Sequence, residues 1–320
     1  MMSDPSTNAR LVRHPDGITA VDTEYIHPGL AAAHLIVEDG HAAFVDVGTN
    51  HSVPHLLAAL DVLGVPREAV DFVFLTHVHL DHAAGAGKLL QALPRARAVV
   101  HPRGVQHLAQ PAKLIAASID VYGEATYREI YGELLPVDPE RMVAMQDGQI
   151  VELAGRKLTL INTPGHALHH YCIVDRAHAN VFAGDTFGIS YRALDTAAGA
   201  FIVPTTSPTQ FDPEQLIGSI DRLMQFEPRA AYLMHYSRVT GLPRLAESLR
   251  MQIRALAEIA RRHAGDADPA VTIKAEMRAL WLTLVRAHGI TSAEQMVDSV
   301  LNKDLDLNTQ GLIAWLARAA

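Results

Sequence analysis

The stretch that most restricts this chain is His77-Val78-His79-Leu80-Asp81-His82, which places four metal-ligand side chains directly behind the mostly apolar run Val70 to Thr76. A run of that kind reads as a strand covered on both faces. Imidazole nitrogen and carboxylate oxygen are the donors that divalent transition metals take. A tight turn behind a strand end splays positions i, i+2, i+4 and i+5 around one point. Three histidines and an aspartate in fixed places arise by chance roughly once per hundred thousand starting positions, so coincidence is a poor account of the motif.

Three later places repeat the arrangement of an apolar run ending on a ligand-type residue. Thr163-Pro164-Gly165-His166 follows Lys157 to Ile161, Gly184-Asp185 follows Asn180 to Ala183, and His235 follows Ala230 to Met234. Strand ends in an open sheet share one edge, where sites tend to lie. The remaining pattern fits a mixed α/β chain. Short strands are expected at 18–24, 31–38, 42–47, 98–101, 150–153 and 171–174. Helical spacing covers 51–63 and a stretch from about Ala83 to Leu93. Residues 104–135 read as an inserted helical pair broken near Gly123. Asp212-Pro213-Glu214-Gln215 is a helix start with an N-cap, a proline at the first helical position and a capping-box glutamine. From residue 243 the pattern is helical only, with helices over 275–288, 291–301 (opened by a Thr291/Glu294 capping box) and 312–319. The domain division is therefore 15–242, carrying the insert, and 243–320, a C-terminal helical region that holds no ligand cluster and serves as a lid or as a dimer surface.

With its ligand run, its TPGH turn, its GD pair and its late histidine, the chain resembles the metallo-β-lactamase-fold superfamily over roughly residues 15–240. The resemblance implies an αββα sandwich: two mixed sheets face to face, helices outside. It implies that His77, His79 and His166 hold one metal, that Asp81, His82 and His235 hold a second, and that Asp185 bridges both. It places Asp46 and His170 behind the ligands as orienting residues. The implied cofactor is two divalent metal ions per chain, zinc first, with iron or manganese as alternatives. The implied activity is dinuclear metal-dependent hydrolysis, in which a metal-bridged hydroxide oriented by Asp81 attacks a small ester, thioester or lactone carbonyl. The same fold also carries mononuclear-iron sulfur dioxygenases, diiron redox enzymes and weakly catalytic binding members. The diiron branch usually has Glu where this chain has His79. Tyr191 and Phe187 are candidate pocket residues, with Tyr122, Tyr127, Tyr131 and Phe201 behind them.

Composition narrows the partners. The 320 residues are 49% hydrophobic and carry a net charge of −8, which disfavours nucleic acid as a partner and leaves a small-molecule substrate, with a homodimer open. The single cysteine, Cys172, allows neither an internal disulfide nor a thiolate metal site, and reads as a buried strand residue. The N-terminal residues lack an apolar signal-peptide core and no run of 18 apolar residues occurs, so a cytoplasmic protein without a membrane span is expected.

Overall fold

The computed structural model describes residues 10–206 and 209–319. Among these, the first sheet holds seven strands in chain order: β1 (Leu11–Arg13), β2 (Ile18–Asp22), β3 (Ala32–Glu38), β4 (His41–Val45), β5 (Val70–Leu75), β6 (Arg97–Val100) and β7 (Met142–Ala144). The second holds six: β8 (Ile150–Leu153), β9 (Arg156–Asn162), β10 (Tyr171–Asp175), β11 (Asn180–Gly184), β12 (Ala230–Leu233) and β13 (Ser237–Thr240). Strands β1 to β4 pair antiparallel, whereas β4 to β7 run parallel. In the second sheet only β11 and β12 are parallel.

Side-chain alternation assembles the layers. On β5, Val73 and Leu75 face the helices over the first sheet, while Phe72 and Phe74 face the second sheet. On β10, Tyr171 and Ile173 enter the space between the sheets, while Cys172 and Val174 face the opposite helical layer. The helices α1 (Val53–Leu63), α2 (Leu80–Ala83), α3 (Ala86–Ala92) and α4 (Pro102–Ala109) belong to the first sheet's side. α5 (Ala112–Tyr122) and α6 (Glu124–Tyr131) follow α4, so the insert is three helices rather than a pair. Gln110-Pro111 interrupts it as well as Gly123, which sits at φ +78°. The helix expected from Ala83 to Leu93 is likewise split, into α2 and α3 at Ala84-Gly85.

α7 (Pro213–Met224) starts as read: the Asp212 carboxylate accepts from the Gln215 N–H at 2.9 Å. The C-terminal segment forms α8 (Leu242–His263), α9 (Pro269–Ala287), α10 (Ala293–Val300) and α11 (Asn302–Ala319). The expected Thr291/Glu294 box is not the cap of α10, because Ser292 takes the N-cap position and caps with no side-chain bond. Ile273, Met277, Trp281 and Val285 of α9 share one apolar cluster with Cys172 and Val174 of the second sheet. Burial of these apolar faces, not helix propensity, holds the segment down. No described helix is long and apolar enough to cross a membrane.

Candidate metal centre

Four strand ends bring seven ligand-type residues together. β5 leads into His77 and His79, and the single turn of α2 carries Asp81 and His82. His166 follows β9, Asp185 follows β11, and His235 follows β12. Two glycines permit the approach. A Cβ on Gly165 would stand 2.2 Å from the Leu216 backbone nitrogen, so only glycine lets the His166 turn pass under the start of α7. A Cβ on Gly184, at φ +46°, would stand 2.5 Å from His170 Nε2 and 2.7 Å from Thr76 Oγ1.

The ligand atoms form overlapping groups whose members lie within 4.8 Å of one another: His77, His79 and His166; His77, His82 and Asp185; Asp81, His82 and His235. His79 Nδ1 stands 2.8 Å from His77 Nε2 and 3.0 Å from His166 Nε2. His235 Nε2 is 3.2 Å from Asp81 Oδ2, and His82 Nε2 is 3.8 Å from the same oxygen. Asp185 faces both sides, with Oδ1 3.2 Å from His82 Nε2 and Oδ2 3.5 Å from His166 Nε2. Two nitrogens bound tetrahedrally to zinc are separated by about 3.3 Å, so these spacings suit donors converging on cations. The buried atoms His82 Nε2 and Asp185 Oδ1 face each other without a hydrogen bond, and buried polar atoms left in that state are costly. A cation between them would satisfy both, and the nitrogen–oxygen donor set fits a divalent metal.

Electrostatics separates the two sides. Burial and the neighbouring imidazoles hold His77 and His79 well below the ordinary histidine range, and burial also lowers His166. These rings are thus neutral, the form a metal requires. Burial disfavours charge on His82 and His235, but Asp185, Asp46 and Asp81 hold His82 well above its usual range, and the bond to Asp81 raises His235. Burial likewise disfavours charge on Asp81, yet His82 and His235 bring it down to about 2. His82 has the same effect on Asp185, which lies well below its usual range despite burial. Three carboxylates therefore concentrate negative potential where cationic charge is needed.

Behind these residues stands a frame of hydrogen bonds. Asp46 Oδ2 lies 2.9 Å from His82 Nδ1, and Asp46 Oδ1 accepts from the Thr76 N–H at 2.9 Å. The Thr76 hydroxyl donates to the same carboxylate and lies 3.2 Å from His77 Nδ1. His170 Nε2 accepts from the Asp185 N–H at 3.1 Å, and His170 Nδ1 sits 2.9 Å from the Thr163 hydroxyl. Asp46 and His170 therefore fix ring and loop orientation. Other partners were not legible in the sequence. The Leu30 carbonyl lies 3.0 Å from His235 Nδ1, the Thr205 hydroxyl donates to the Asp185 carbonyl, and His169 Nδ1 accepts from the Val78 N–H.

A cavity of about 360 Å³ opens beside the cluster, lined by Asp81, Asp185, His235, Tyr191, Tyr25 and residues of α11. Tyr191 lies in its wall. Phe187 does not: it is 1% exposed and packs into the cluster between the second sheet and its helices, an apolar ring without a polar tip drawn into the core. Phe201 belongs to that same cluster. Tyr127 and Tyr131 pack with Leu80 and Leu134 beneath the insert, and the Tyr131 hydroxyl lies 3.2 Å from that of Tyr25. The Tyr122 side chain lies outside the described residues.

Comparison with known proteins agrees with this architecture. The profile of the metallo-beta-lactamase superfamily matches residues 27–235. The metallo-beta-lactamase fold-containing protein ST1585 of Sulfurisphaera tokodaii is 25% identical over 236 residues, covering 72% of this chain and 82% of that protein. The crystal structure of ST1585 superimposes with a TM-score of 0.63 at 20% identity, covering 93% of this chain and 99% of that one. An acyl-coenzyme A thioesterase MBLAC2 of Gallus gallus is 31% identical over 146 residues, 44% of this chain and 52% of its own length. A hydroxyacylglutathione hydrolase of Salmonella paratyphi A is 29% identical over 152 residues, 48% of this chain and 45% of its own. The chain thus spans about half the length of these last two relatives. With the profile covering most of the chain, all seven converging residues inside it and the two-sheet sandwich around them, this protein belongs to the metallo-beta-lactamase superfamily.

Proposed function

We propose that this protein is a dinuclear metal-dependent hydrolase acting on a small ester, thioester or lactone carbonyl. The observation that carries the reading is Asp185, whose two oxygens face different ligand groups, Oδ1 toward His82 and Oδ2 toward His166. A carboxylate so placed is suited to bridge two cations. His77, His79 and His166 would hold one, and Asp81, His82 and His235 the other. Bound there, two divalent ions supply Lewis acidity and an activated water.

The chain's own groups do the rest. Asp81 lines the cavity and stays anionic down to about pH 2, so at neutral pH it accepts a hydrogen bond from water and orients it. Asp46 and Leu30 hold His82 and His235 from behind, so neither ring needs to reorient as the substrate enters. The two relatives named as a thioesterase and as a hydroxyacylglutathione hydrolase support carbonyl hydrolysis as the reaction class.

The test is a panel of esters, thioesters and lactones offered to zinc-loaded and to chelator-stripped protein. Turnover that appears only with metal, and that falls at least about 100-fold in Asp81→Ala, is the expected result. A metal-replete protein inert toward the whole panel would sink the reading. Iron in the purified protein with oxygen consumption would shift it to redox chemistry.

A further inference from the structure

Ile26 differs from the rest of the cavity wall in its backbone. It belongs to the connection from β2 to β3, which is braced at its neck. The Asp22 carboxylate accepts from the Glu24 N–H at 2.9 Å and from the Gly29 N–H at 2.7 Å, and the Thr23 hydroxyl donates to the Ala31 carbonyl at 3.0 Å. Between these bonds Ile26 sits at φ +59°. A β-branched residue is strongly disfavoured in that left-handed region, where Cβ crowds the following carbonyl. Core packing does not account for it, because Ile26 is 49% exposed. Ile26 does line the cavity, as does the partly exposed Leu307 of α11. Neither residue packs into any of the four apolar clusters formed by the described residues, and both lie outside residues 27–235, the span of the superfamily profile. Leu30, Ile189 and Val300 add apolar surface to the same wall. Two of its polar groups are already committed: the Asp298 carboxylate accepts from the Arg278 guanidinium at 2.7 and 2.6 Å, and the Tyr191 hydroxyl donates to Asp304 at 3.3 Å.

We propose that Ile26 and Leu307 are specificity-determining residues that take an apolar chain carried by the substrate. This rests on the hydrolase reading and sharpens it: the preferred substrates bear an alkyl chain on one side of the scissile carbonyl rather than only small or charged groups. The physical case has two parts. Two apolar side chains without protein neighbours in the core leave their surface to water, and an alkyl chain laid against them removes apolar surface from water on both partners. Each methylene so buried strengthens binding by up to about fourfold. The second part is strain. A residue held in a disfavoured conformation persists only when its surroundings over-determine it, and such residues gather at ligand sites. The braced loop keeps Ile26 out of the core and costs stability, so folding gains nothing from this residue at this position. Segments on either side of the profile-matched span thereby set the choice of substrate, while that span carries the reacting groups.

The experiment uses zinc-loaded full-length protein and two series of thioesters. One lengthens the acyl chain from acetyl to octanoyl, and the other lengthens the leaving thiol in the same steps. The dependence of kcat/KM on chain length is measured in the parent, in Ile26→Asn, in Leu307→Ser and in Ile26→Leu, with metal content and denaturation midpoint checked in each. In one of the two series the parent should gain about 2- to 4-fold per methylene until the chain fills the cavity. The ratio of longest to shortest substrate should fall about 10-fold in Ile26→Asn and in Leu307→Ser, and stay near the parent value in Ile26→Leu, which keeps an apolar side chain. Asparagine tolerates the left-handed region, so the midpoint of Ile26→Asn should hold or rise. A purely structural role would lower all chain lengths together, leave the ratio unchanged and lower the midpoint, and that result overturns the proposal. If no thioester is hydrolysed, calorimetry compares the binding of straight-chain carboxylates from acetate to octanoate. Affinity that rises with chain length in the parent, and no longer does so in Ile26→Asn and Leu307→Ser, then supports the recognition role while the hydrolase reading fails. A flat response to chain length in the parent, or a rise retained in both variants, overturns the proposal.

Discussion

Replacing Asp46 by Asn should separate the two halves of the proposed metal centre without emptying the space. Asp46 is 2% exposed and serves three donors: the Thr76 N–H and hydroxyl, and His82 Nδ1. An asparagine oxygen can still take the Thr76 N–H. Its amide group then stands where a carboxylate oxygen lies 2.9 Å from His82 Nδ1, so two donors oppose each other. His82 escapes by moving its proton to Nε2, the atom that faces Asp185 and Asp81. That nitrogen can no longer ligate. A hydrogen bond to a charged group contributes about 1.5–3 kcal/mol. At about 1.4 kcal/mol per factor of ten, the metal held by Asp81, His82 and His235 should bind about 10- to 100-fold more weakly. The site of His77, His79 and His166 should change far less, because those rings keep their partners. Zinc titration against a chromophoric chelator resolves the two steps, and chemical denaturation checks that the variant folds. Two unmoved steps, or equal weakening of both, would refute the reasoning that Asp46 works through the His82 tautomer.

Three further outcomes follow from the same geometry. Gly184→Ala should cost about 2–5 kcal/mol of stability in denaturant melts, since it adds left-handed strain and a contact of 2.5 Å with His170 Nε2; a loss under about 1 kcal/mol would mean that the loop can shift. His34 is buried with Nε2 unpartnered, and burial, with a smaller push from His14, lowers its pKa from 6.5 to about 3. The folded chain therefore refuses a proton that the unfolded chain accepts. Stability is complete above 6.5 and declines as the pH falls toward about 3. This one group accounts for about 2 kcal/mol between pH 7 and 5, a component that His34→Leu should remove from the stability–pH profile. Cys172, whose thiol burial pushes up to about 12, should resist alkylation at pH 8 in the folded protein and react fully once denatured.

Much of this was readable from residues alone because the pattern and the physics coincided. Val70 to Leu75 is apolar on both faces because it is covered on both, and the ligand run follows it because a strand end is where rigid backbone meets open space. Asp212 could be read as a cap because its bond to the Gln215 N–H is local. The failures are non-local. β1, β7 and β13 are three or four residues long and mostly mixed in polarity, so only pairing with a neighbouring strand makes them strands. Phe187 reads in the sequence as one of several aromatic candidates for the pocket, yet backbone direction sends it into the core. Asp304 was invisible because nothing near it in sequence is a ligand. It reaches the cavity only when α11 folds back across 113 positions to Tyr191.

The most direct test of the central claim is the metal content of the purified protein by elemental mass spectrometry, in the parent and in His79→Ala and His235→Ala. The account expects about two divalent ions per chain in the parent and about one in each variant, because each substitution removes a ligand from a different cation. One ion in the parent at saturating metal, or two retained in both variants, would contradict it.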